Sequence, residues 1–317
     1  MMIQIEAWSD RVPRATAEVG TPSLDAIPPG KAIDLYRGRS FFRELDGPRG
    51  APTLLLLHGW IATGGLNWFP AFDTLGRSFR VIAPDLRGHG RGIRSWRRFR
   101  LEDCADDSAD LITELDAGPV IAVGYSMGGA VAQLLWQRHP ELVSGLVLCA
   151  TGPSLIPALR NRIVVSTTMS ALAGTTRLAQ VSTQLPRSMI RAFWPDSRPA
   201  PPKTLRRWAA NEMARHDWRM LLEAGRELGS FSAWDWIHEI DVPTAVVVTT
   251  RDNAMDPAQQ FQMAERIPGA SIHPLEDGHL ACTTPEFAAR LLHASREVAL
   301  RAERPRASAA TAAPLLR

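Results

Sequence analysis

The chain has 317 residues, 45% of them hydrophobic, which is enough for one large core or for a core with a smaller second unit. Its formal net charge of +3 is weak and comes mostly from clustered arginines, so it gives no general indication of a nucleic-acid partner. Three scattered cysteines exclude a disulfide framework, and the sequence lacks a signal-peptide pattern and an apolar run of membrane-spanning length, so a cytoplasmic protein without a transmembrane segment is expected.

The N-terminal part predicts an irregular arm followed by the first strands. Residues 1–35 are polar and rich in proline, glycine and alanine, and residues 40–45 have the pattern of an edge strand. Residues 53–57 form a continuous apolar run, which is typical of a strand buried on both faces of a parallel sheet. The run ends in His58-Gly59-Trp60. We expect His58 to order this turn, and the backbone N–H of Trp60 is a candidate donor to an oxyanion.

An arginine-rich loop follows the next predicted strand, residues 80–84. The cluster comprises Arg87, Arg91, Arg94, Arg97, Arg98 and Arg100. The favoured interpretation is a solvated loop whose arginines pair with acids just downstream, which are Glu102, Asp103, Asp106 and Asp107. The alternative is attraction of an anionic substrate or surface, because loops at the carboxyl ends of strands lie near the site in open α/β sheets.

The most informative stretch is residues 120–130. A β-branched apolar run stops at Gly124, Ser126 follows, and a helical pattern begins directly after it. A strand, a tight turn and a helix around Gly-x-Ser-x-Gly form a nucleophile elbow, which exposes the serine above the edge of the sheet. Ser126 is therefore the candidate nucleophile.

The alternation of strands and helices stops after a strand at 145–150 and resumes at 244–249. Between them the sequence shows helical patterns at 162–172, 204–213 and 218–228, divided by prolines and containing half of the ten tryptophans. We therefore predict a core at 36–150 and 240–300, with a mostly parallel sheet flanked by helices, and an inserted helical cap at 151–239. The tail, 301–317, has a disordered composition.

A serine hydroxyl needs a base in contact and an acid that orients the base. His279 alone among the eight histidines sits in a glycine-led loop directly after a predicted strand, 270–275. Asp252 is the first acid after the strand at 244–249, whereas Asp256 suits the N-cap of the next helix and Asp277 is very close to the histidine in sequence. The predicted order is Ser126, Asp252, His279.

This order, together with the turn at residues 56–60, the loop at 85–90 and the elbow, resembles the α/β-hydrolase superfamily from about residue 39 to residue 300. The resemblance implies acyl transfer to water, with Ser126 attacking a carbonyl, His279 moving the proton and Asp252 holding the imidazole. It also implies an oxyanion hole made by the backbone N–H groups of Trp60 and Met127. It requires no metal ion and no organic cofactor.

The resemblance leaves the substrate open. The tryptophan-rich cap indicates a mainly apolar small molecule, and a carboxylic ester is the favoured class. Serine at the elbow disfavours epoxide opening and dehalogenation, which use aspartate there in related families. C–C bond hydrolysis, lactone hydrolysis, acyl transfer and cofactor-free haloperoxidase-like chemistry remain alternatives, as does a ligand-binding receptor. The sequence predicts no oligomeric state.

Overall fold

The computed structural model describes residues 27–155, 167–170, 173 and 204–303. Its centre is an eight-stranded sheet in the order β1-β2-β4-β3-β5-β6-β7-β8. The strands are β1 (Gly30–Leu35), β2 (Gly38–Leu45), β3 (Thr53–Leu57), β4 (Arg80–Pro84), β5 (Val120–Tyr125), β6 (Val143–Cys149), β7 (Thr244–Thr249) and β8 (Ser271–Leu275). The pairs β1–β2 and β2–β4 are antiparallel, and all the others are parallel.

Helices cover both faces of the sheet. The α-helices with both ends described are α1 (Gly64–Trp68), α2 (Phe72–Gly76), α3 (Leu101–Glu114), α4 (Met127–Arg138), α5 (Leu205–Met213), α6 (Trp218–Ser230), α7 (Pro257–Arg266) and α8 (Pro285–Ala302). One apolar layer includes residues of α3 and α4, and a second one, on the other face, includes residues of α1, α2 and α8. Among the described residues, no helix combines the length and the apolar character that a membrane span needs.

The register of the parallel strands places the carboxyl ends of β3, β5 and β6 next to one another. Leu57 on β3 pairs with Gly124 on β5, and Gly124 in turn pairs with Leu148 on β6. All five residues of β3 and all six of β5 are buried, as expected for strands covered by helices on both faces. The turn after β3 and the serine after β5 therefore lie side by side at one edge of the sheet.

The structure corrects the prediction for the N-terminal region. The last six residues of the proposed arm are strand β1, which is the edge strand in place of residues 40–45. The pattern of β1 is weak because most of its residues are exposed, so few of them needed to be apolar. Two short helices, α1 and α2, lie between β3 and β4, and Pro70 between them cannot donate the hydrogen bond that would continue a helix. Residues 1–26 lie outside the described part.

The remaining predicted elements are close to the observed ones. α5, α6 and β7 lie within two residues of the ranges expected from the sequence. The proposed helix at 162–172 lies mostly outside the described residues. The proposed disordered tail starts too early at residue 301, because α8 continues to Ala302, and residues 304–317 lie outside the described part.

The segment that contains α5 and α6, residues 204–239, lies against the loops at the carboxyl ends of the strands. The Trp60 indole donates a hydrogen bond of 2.9 Å to the Leu221 carbonyl of α6, and the Asp217 amide donates one of 2.8 Å to the Gly88 carbonyl. The rings of Phe69 and Trp208 meet at 6.0 Å between centroids. This α5–α6 segment therefore covers the sheet edge at which Ser126 lies.

Candidate active site

Ser126 occupies a sharp turn between β5 and α4. Its backbone has φ 52° and ψ −116°, a conformation that residues other than glycine rarely adopt. The Ser126 amide donates to the Cys149 carbonyl at 3.0 Å, and the Thr151 hydroxyl donates to the Ser126 carbonyl at 2.9 Å. These two bonds hold both sides of the strained residue, so the turn projects the side chain beyond the sheet edge.

The glycines on either side of Ser126 are required for close approach of the backbone. A Cβ atom on Gly128 would lie 2.0 Å from the Leu57 carbonyl oxygen, and one on Gly124 would lie 2.3 Å from the Gly128 carbonyl oxygen. Both separations are far shorter than atomic contact permits, and the obstructing atoms belong to backbone that cannot move aside. The elbow can therefore form only with glycine at these positions.

The structure brings Ser126, His279 and Asp252 together from three loops. His279 Nε2 lies 3.0 Å from Ser126 Oγ, and His279 Nδ1 lies 2.8 Å from Asp252 Oδ2. With the proton on Nδ1, the ring donates to the carboxylate and presents the Nε2 lone pair to the hydroxyl hydrogen of Ser126. A general base must lie within hydrogen-bond distance of the proton that it accepts, and this geometry meets that requirement.

The Asp252 carboxylate is buried and fully engaged. Its Oδ1 accepts hydrogen bonds from the Ala254 and Met255 amides, each at 2.8 Å, and its Oδ2 accepts one of 2.8 Å from the Thr249 hydroxyl. Burial acts to raise the pKa of Asp252, but the hydrogen bonds from His279, Met255 and Thr249 outweigh it and lower that pKa from its usual value. The carboxylate is therefore ionised beside the imidazole at neutral pH.

The two competing acids have other partners. Asp256 is the N-cap of α7, where its Oδ1 accepts from the Ala258 amide at 2.9 Å. The Asp277 carboxylate accepts from the Gly278 amide at 2.7 Å and from the Thr284 hydroxyl at 3.4 Å. Of the three acids, Asp252 is the one in contact with the ring of His279.

Two side chains that the sequence analysis did not single out support this arrangement. The Tyr125 hydroxyl donates a hydrogen bond of 2.8 Å to the His279 carbonyl. Gln260 Nε2 donates to the Thr249 hydroxyl at 3.0 Å, so Thr249 can direct its own hydrogen to Asp252. Tyr125 lies inside the elbow motif, which was a usable signal, whereas the role of Gln260 depends on how α7 packs on β7.

The turn after β3 lies next to the serine. A Cβ atom on Gly59 would be 3.5 Å from Ser126 Cβ, so the backbone that leads into Trp60 passes directly beside the elbow. The ring of His58 accepts a hydrogen bond of 2.9 Å at Nε2 from the Leu86 amide and, at Nδ1, donates one of 2.8 Å to the Gly59 carbonyl. Complete burial lowers the pKa of His58 to about 3, so the ring is neutral. It orders its own turn, as expected from the sequence, and also connects this turn to the loop after β4.

A comparison with protein families decides the classification. Residues 52–285, well over half of the chain, match the model of the alpha/beta hydrolase fold family. The chain belongs to the α/β-hydrolase family. The matched range includes the turn at Trp60, the elbow, Asp252 and His279, and it spans strands on both sides of the α5–α6 segment.

The curated relatives of this α/β-hydrolase include a depolymerase and an esterase. A poly(3-hydroxyalkanoate) depolymerase of Ectopseudomonas oleovorans is 26% identical over 234 residues, which cover 73% of this chain and 80% of that protein. A pimeloyl-[acyl-carrier protein] methyl ester esterase of Nitrosomonas europaea is 38% identical over 117 residues, which are 36% of this chain and 42% of the esterase. An uncharacterized protein of Mycobacterium tuberculosis is 36% identical, and the match spans only 38% of its length.

A solved structure supports the same fold. The enol-lactonase of Burkholderia xenovorans superposes with a TM-score of 0.64 over 85% of this chain and 100% of its own, at 22% identity. At this level of identity the likeness concerns the fold alone.

The arginine cluster of this α/β-hydrolase is only partly paired as the sequence suggested. Arg87 is buried and contacts Asp107 at 2.6 Å and Asp103 at 3.2 Å, and Arg100 lies 3.4 Å from Glu102. Arg91 instead forms two hydrogen bonds, of 2.6 and 3.0 Å, with Glu212 on α5. Glu212 is 121 residues away along the chain, so no local pattern could have indicated this pair.

One group of side chains in the described residues has spacing compatible with a metal ion. His273 on β8 and His293 and Glu297 on α8 hold their ligand atoms within 4.8 Å of one another. Glu297 already lies 3.0 Å from His273 Nε2 and 3.6 Å from Arg301, so its charge has a cationic partner. The group does not include Ser126, Asp252 or His279.

Proposed function

We propose that this α/β-hydrolase is a serine hydrolase that cleaves a carboxylic ester of a mainly apolar small molecule through an acyl-enzyme intermediate. The observation that carries the proposal is the chain of hydrogen bonds from Asp252 through His279 to Ser126, with the serine projected from a strained turn. The ester-cleaving relatives support the same class of reaction.

The reaction begins with attack of Ser126 Oγ on the ester carbonyl carbon while His279 Nε2 takes the hydroxyl proton. Asp252 holds the ring with Nδ1–H directed toward itself and stabilises the imidazolium. When the tetrahedral intermediate collapses, the bond to the leaving oxygen breaks and His279 gives its proton to that oxygen. In the second half of the reaction a water molecule attacks the acyl-enzyme carbonyl while His279 Nε2 takes its proton. His279 then returns this proton to Ser126 Oγ as the acyl bond to the serine breaks and the carboxylic acid is released.

The negative oxygen of each tetrahedral intermediate accepts hydrogen bonds from the backbone amides of Trp60 and Met127. Three observations support this role. Met127 is the first residue of α4, where helix N–H groups are unpaired, and the Gly59 turn passes beside Ser126. In the described part of the chain neither amide donates to another residue. Removal of one such donor costs about 10²- to 10³-fold in rate in other enzymes.

The preference for an apolar acyl group is supported by the side chains between the core and the α5–α6 segment. The Trp60 indole lies against Gly225 on α6, because a Cβ there would be 2.9 Å from its Cζ2 atom and 3.2 Å from Cγ of Met169. Phe69 and Trp208 form a second aromatic contact. We also propose that residues 151–239 are the cap of a core formed by 36–150 and 240–300, in a cytoplasmic protein that requires no cofactor.

The test is a substrate panel for purified wild type, Ser126→Ala and the control Ser108→Ala, whose buried hydroxyl bonds to the Cys104 carbonyl inside α3. We expect kcat/KM for p-nitrophenyl esters to rise from acetate to medium-chain acyl groups in wild type and the control, and to vanish in Ser126→Ala. Turnover restricted to lactone hydrolysis, to C–C bond hydrolysis or to acyl transfer to an alcohol would contradict the ester assignment and support that alternative reaction. Ligand binding without any turnover would favour a receptor.

A further inference from the structure

Two large aromatic side chains are exposed at one corner of the molecule. The Trp96 side chain is 74% exposed and that of Trp218 is 55% exposed, whereas most large apolar residues among the described ones are buried. Trp96 lies in the loop between β4 and α3, and Trp218 is the first residue of α6. Tryptophan is enriched at protein interfaces and at membrane interfaces, where its ring meets an apolar phase and its N–H stays in a polar one.

The two tryptophans belong to segments that are bonded together. The buried Arg219 guanidinium, directly after Trp218, donates to the carbonyl of Ser95, directly before Trp96. Arg94 donates to the Arg215 carbonyl, and the Phe99 amide donates to Glu223 at 2.8 Å. The indoles are therefore held on a fixed scaffold.

The loop beside Trp96 carries positive charge that the described residues do not neutralise. Arg97 and Arg98 are both exposed, and neither forms an ion pair or a side-chain hydrogen bond with another described residue. In contrast, Arg87, Arg91 and Arg100 of the same cluster have carboxylate partners. The combination of two exposed indoles with two unpaired guanidinium groups defines a Trp–Arg corner, formed by Trp96, Arg97, Arg98 and Trp218.

We propose that the Trp–Arg corner binds the surface of an anionic lipid bilayer. Indole rings favour the boundary between headgroups and acyl chains, and arginines next to them attract acidic headgroups by about 1 kcal/mol each. Three residues of the corner lie in the loop after β4, which starts at the same edge of the sheet as Ser126. The fourth, Trp218, is the first residue of α6. Binding therefore places the α5–α6 segment and the sheet edge beneath it close to the bilayer.

A nucleic acid fits the corner less well. Affinity for a duplex depends on many phosphate contacts, and this corner offers two unpaired arginines on a chain whose net charge is only +3. Its indoles belong to a helix and a loop, and they give the corner an apolar component that a phosphate backbone does not use. The interaction with lipid requires no hydrolysis, so it stands independently of the proposed function.

The experiment measures co-sedimentation of the full chain with vesicles of phosphatidylcholine alone and of phosphatidylcholine with a quarter of phosphatidylglycerol. We expect binding to the anionic vesicles that weakens in high salt, because the charge attraction is screened. Arg97→Glu with Arg98→Glu should weaken the partition coefficient at least about tenfold, and Trp96→Ala should weaken it several-fold.

The matched control is Arg49→Glu with Arg77→Glu, which makes the same charge change at the opposite edge of the sheet, after β2 and α2. This control variant should retain most of the vesicle binding, and so should Ser126→Ala. All variants except Ser126→Ala should hydrolyse a soluble ester at the wild-type rate. The proposal is overturned if the control and the corner variants lose binding equally, or if wild type fails to bind anionic vesicles at low salt. Displacement by duplex DNA, with no effect of Trp96→Ala, would also overturn it.

Discussion

The hydroxyl of Tyr125 donates a hydrogen bond of 2.8 Å to the backbone carbonyl of His279. Tyr125 is the last residue of β5, one position before Ser126, and its ring is buried against Trp68 and Phe287. The residue next to the proposed nucleophile thus holds the loop that carries the proposed base. Its position is fixed by core packing, so the His279 loop is tied to the elbow itself.

Tyr125→Phe should therefore lower kcat about tenfold while KM stays nearly constant, because the ring continues to fill the core but the His279 loop loses its anchor. The loss of one hydrogen bond should reduce the free energy of unfolding by only about 1 kcal/mol. Steady-state kinetics and urea unfolding check the two effects separately. A rise in KM with unchanged kcat would mean that the bond orders the substrate site instead of the base.

The orienting acid can be identified by comparing three amide or alanine variants. Asp252→Asn should reduce kcat on the order of 10⁴-fold, since the amide favours the wrong tautomer of His279. Asp256→Ala should leave kcat near normal and lower the free energy of unfolding by about 1 kcal/mol, as expected for a lost N-cap. Near-normal turnover of Asp252→Asn, with loss of turnover in Asp277→Asn, would transfer the role to Asp277.

An acid-dependent part of the stability should come from Asp106 on α3. Burial acts to raise the pKa of this carboxyl, but hydrogen bonds from Arg138 and His139, with the charges of Arg138 and Arg37, outweigh it and lower the pKa to about 2. Because the folded-state pKa lies below the unfolded value, the contribution is complete above about pH 4 and disappears as the pH falls toward 2.

Asp106→Asn should accordingly reduce the free energy of unfolding at pH 7 by about 1 kcal/mol, a modest value because Arg138 is 40% exposed. The difference from wild type should shrink as the pH falls from 4 toward 2, which urea titrations at a series of pH values would show. Asp73→Asn is the control, since its pair with Arg77 is exposed on both sides and should contribute a few tenths of a kcal/mol. A difference that grows in acid would contradict this assignment.

Arg94 should act through the attachment of the α5–α6 segment. Its guanidinium donates to the Gly88 carbonyl at 2.9 Å and the Gly90 carbonyl at 2.6 Å on the core side, and to the Arg215 carbonyl between α5 and α6. Arg94→Ala should lower the free energy of unfolding by about 1–2 kcal/mol and raise KM for long-chain esters. Arg98→Ala, which removes an exposed arginine from the same loop, should change neither quantity; equal effects of both substitutions would exclude the specific role of Arg94.

Local patterns in the sequence were sufficient for the core strands and for the elbow. The continuous apolar runs of β3 and β5 reflect burial on both faces, and the spacing of Gly124, Ser126 and Gly128 reflects steric limits that apply within a few residues. The position of Asp252 could also be predicted, because Asp252 is the first acidic residue after β7 and its place depends only on where that strand ends.

Other features depend on contacts between distant segments and left no local signal. Strand β1 gains its order from pairing with β2, although most of its own residues are exposed. Glu212 is buried beside Arg91 and Arg43, and neither arginine is within 100 residues of it. The sequence therefore predicts that the arginine loop pairs with its downstream acids, whereas part of the loop joins the α5–α6 segment to the core.

The most direct measurement is the site at which a fluorophosphonate probe modifies the protein. The proposed mechanism makes Ser126 Oγ the nucleophile, so peptide mass analysis of the labelled wild type should find one adduct on Ser126. His279→Ala should label far more slowly, and Ser126→Ala should remain folded and unlabelled. Full labelling of Ser126→Ala at another serine, or a folded wild type that the probe does not modify, would contradict the mechanism.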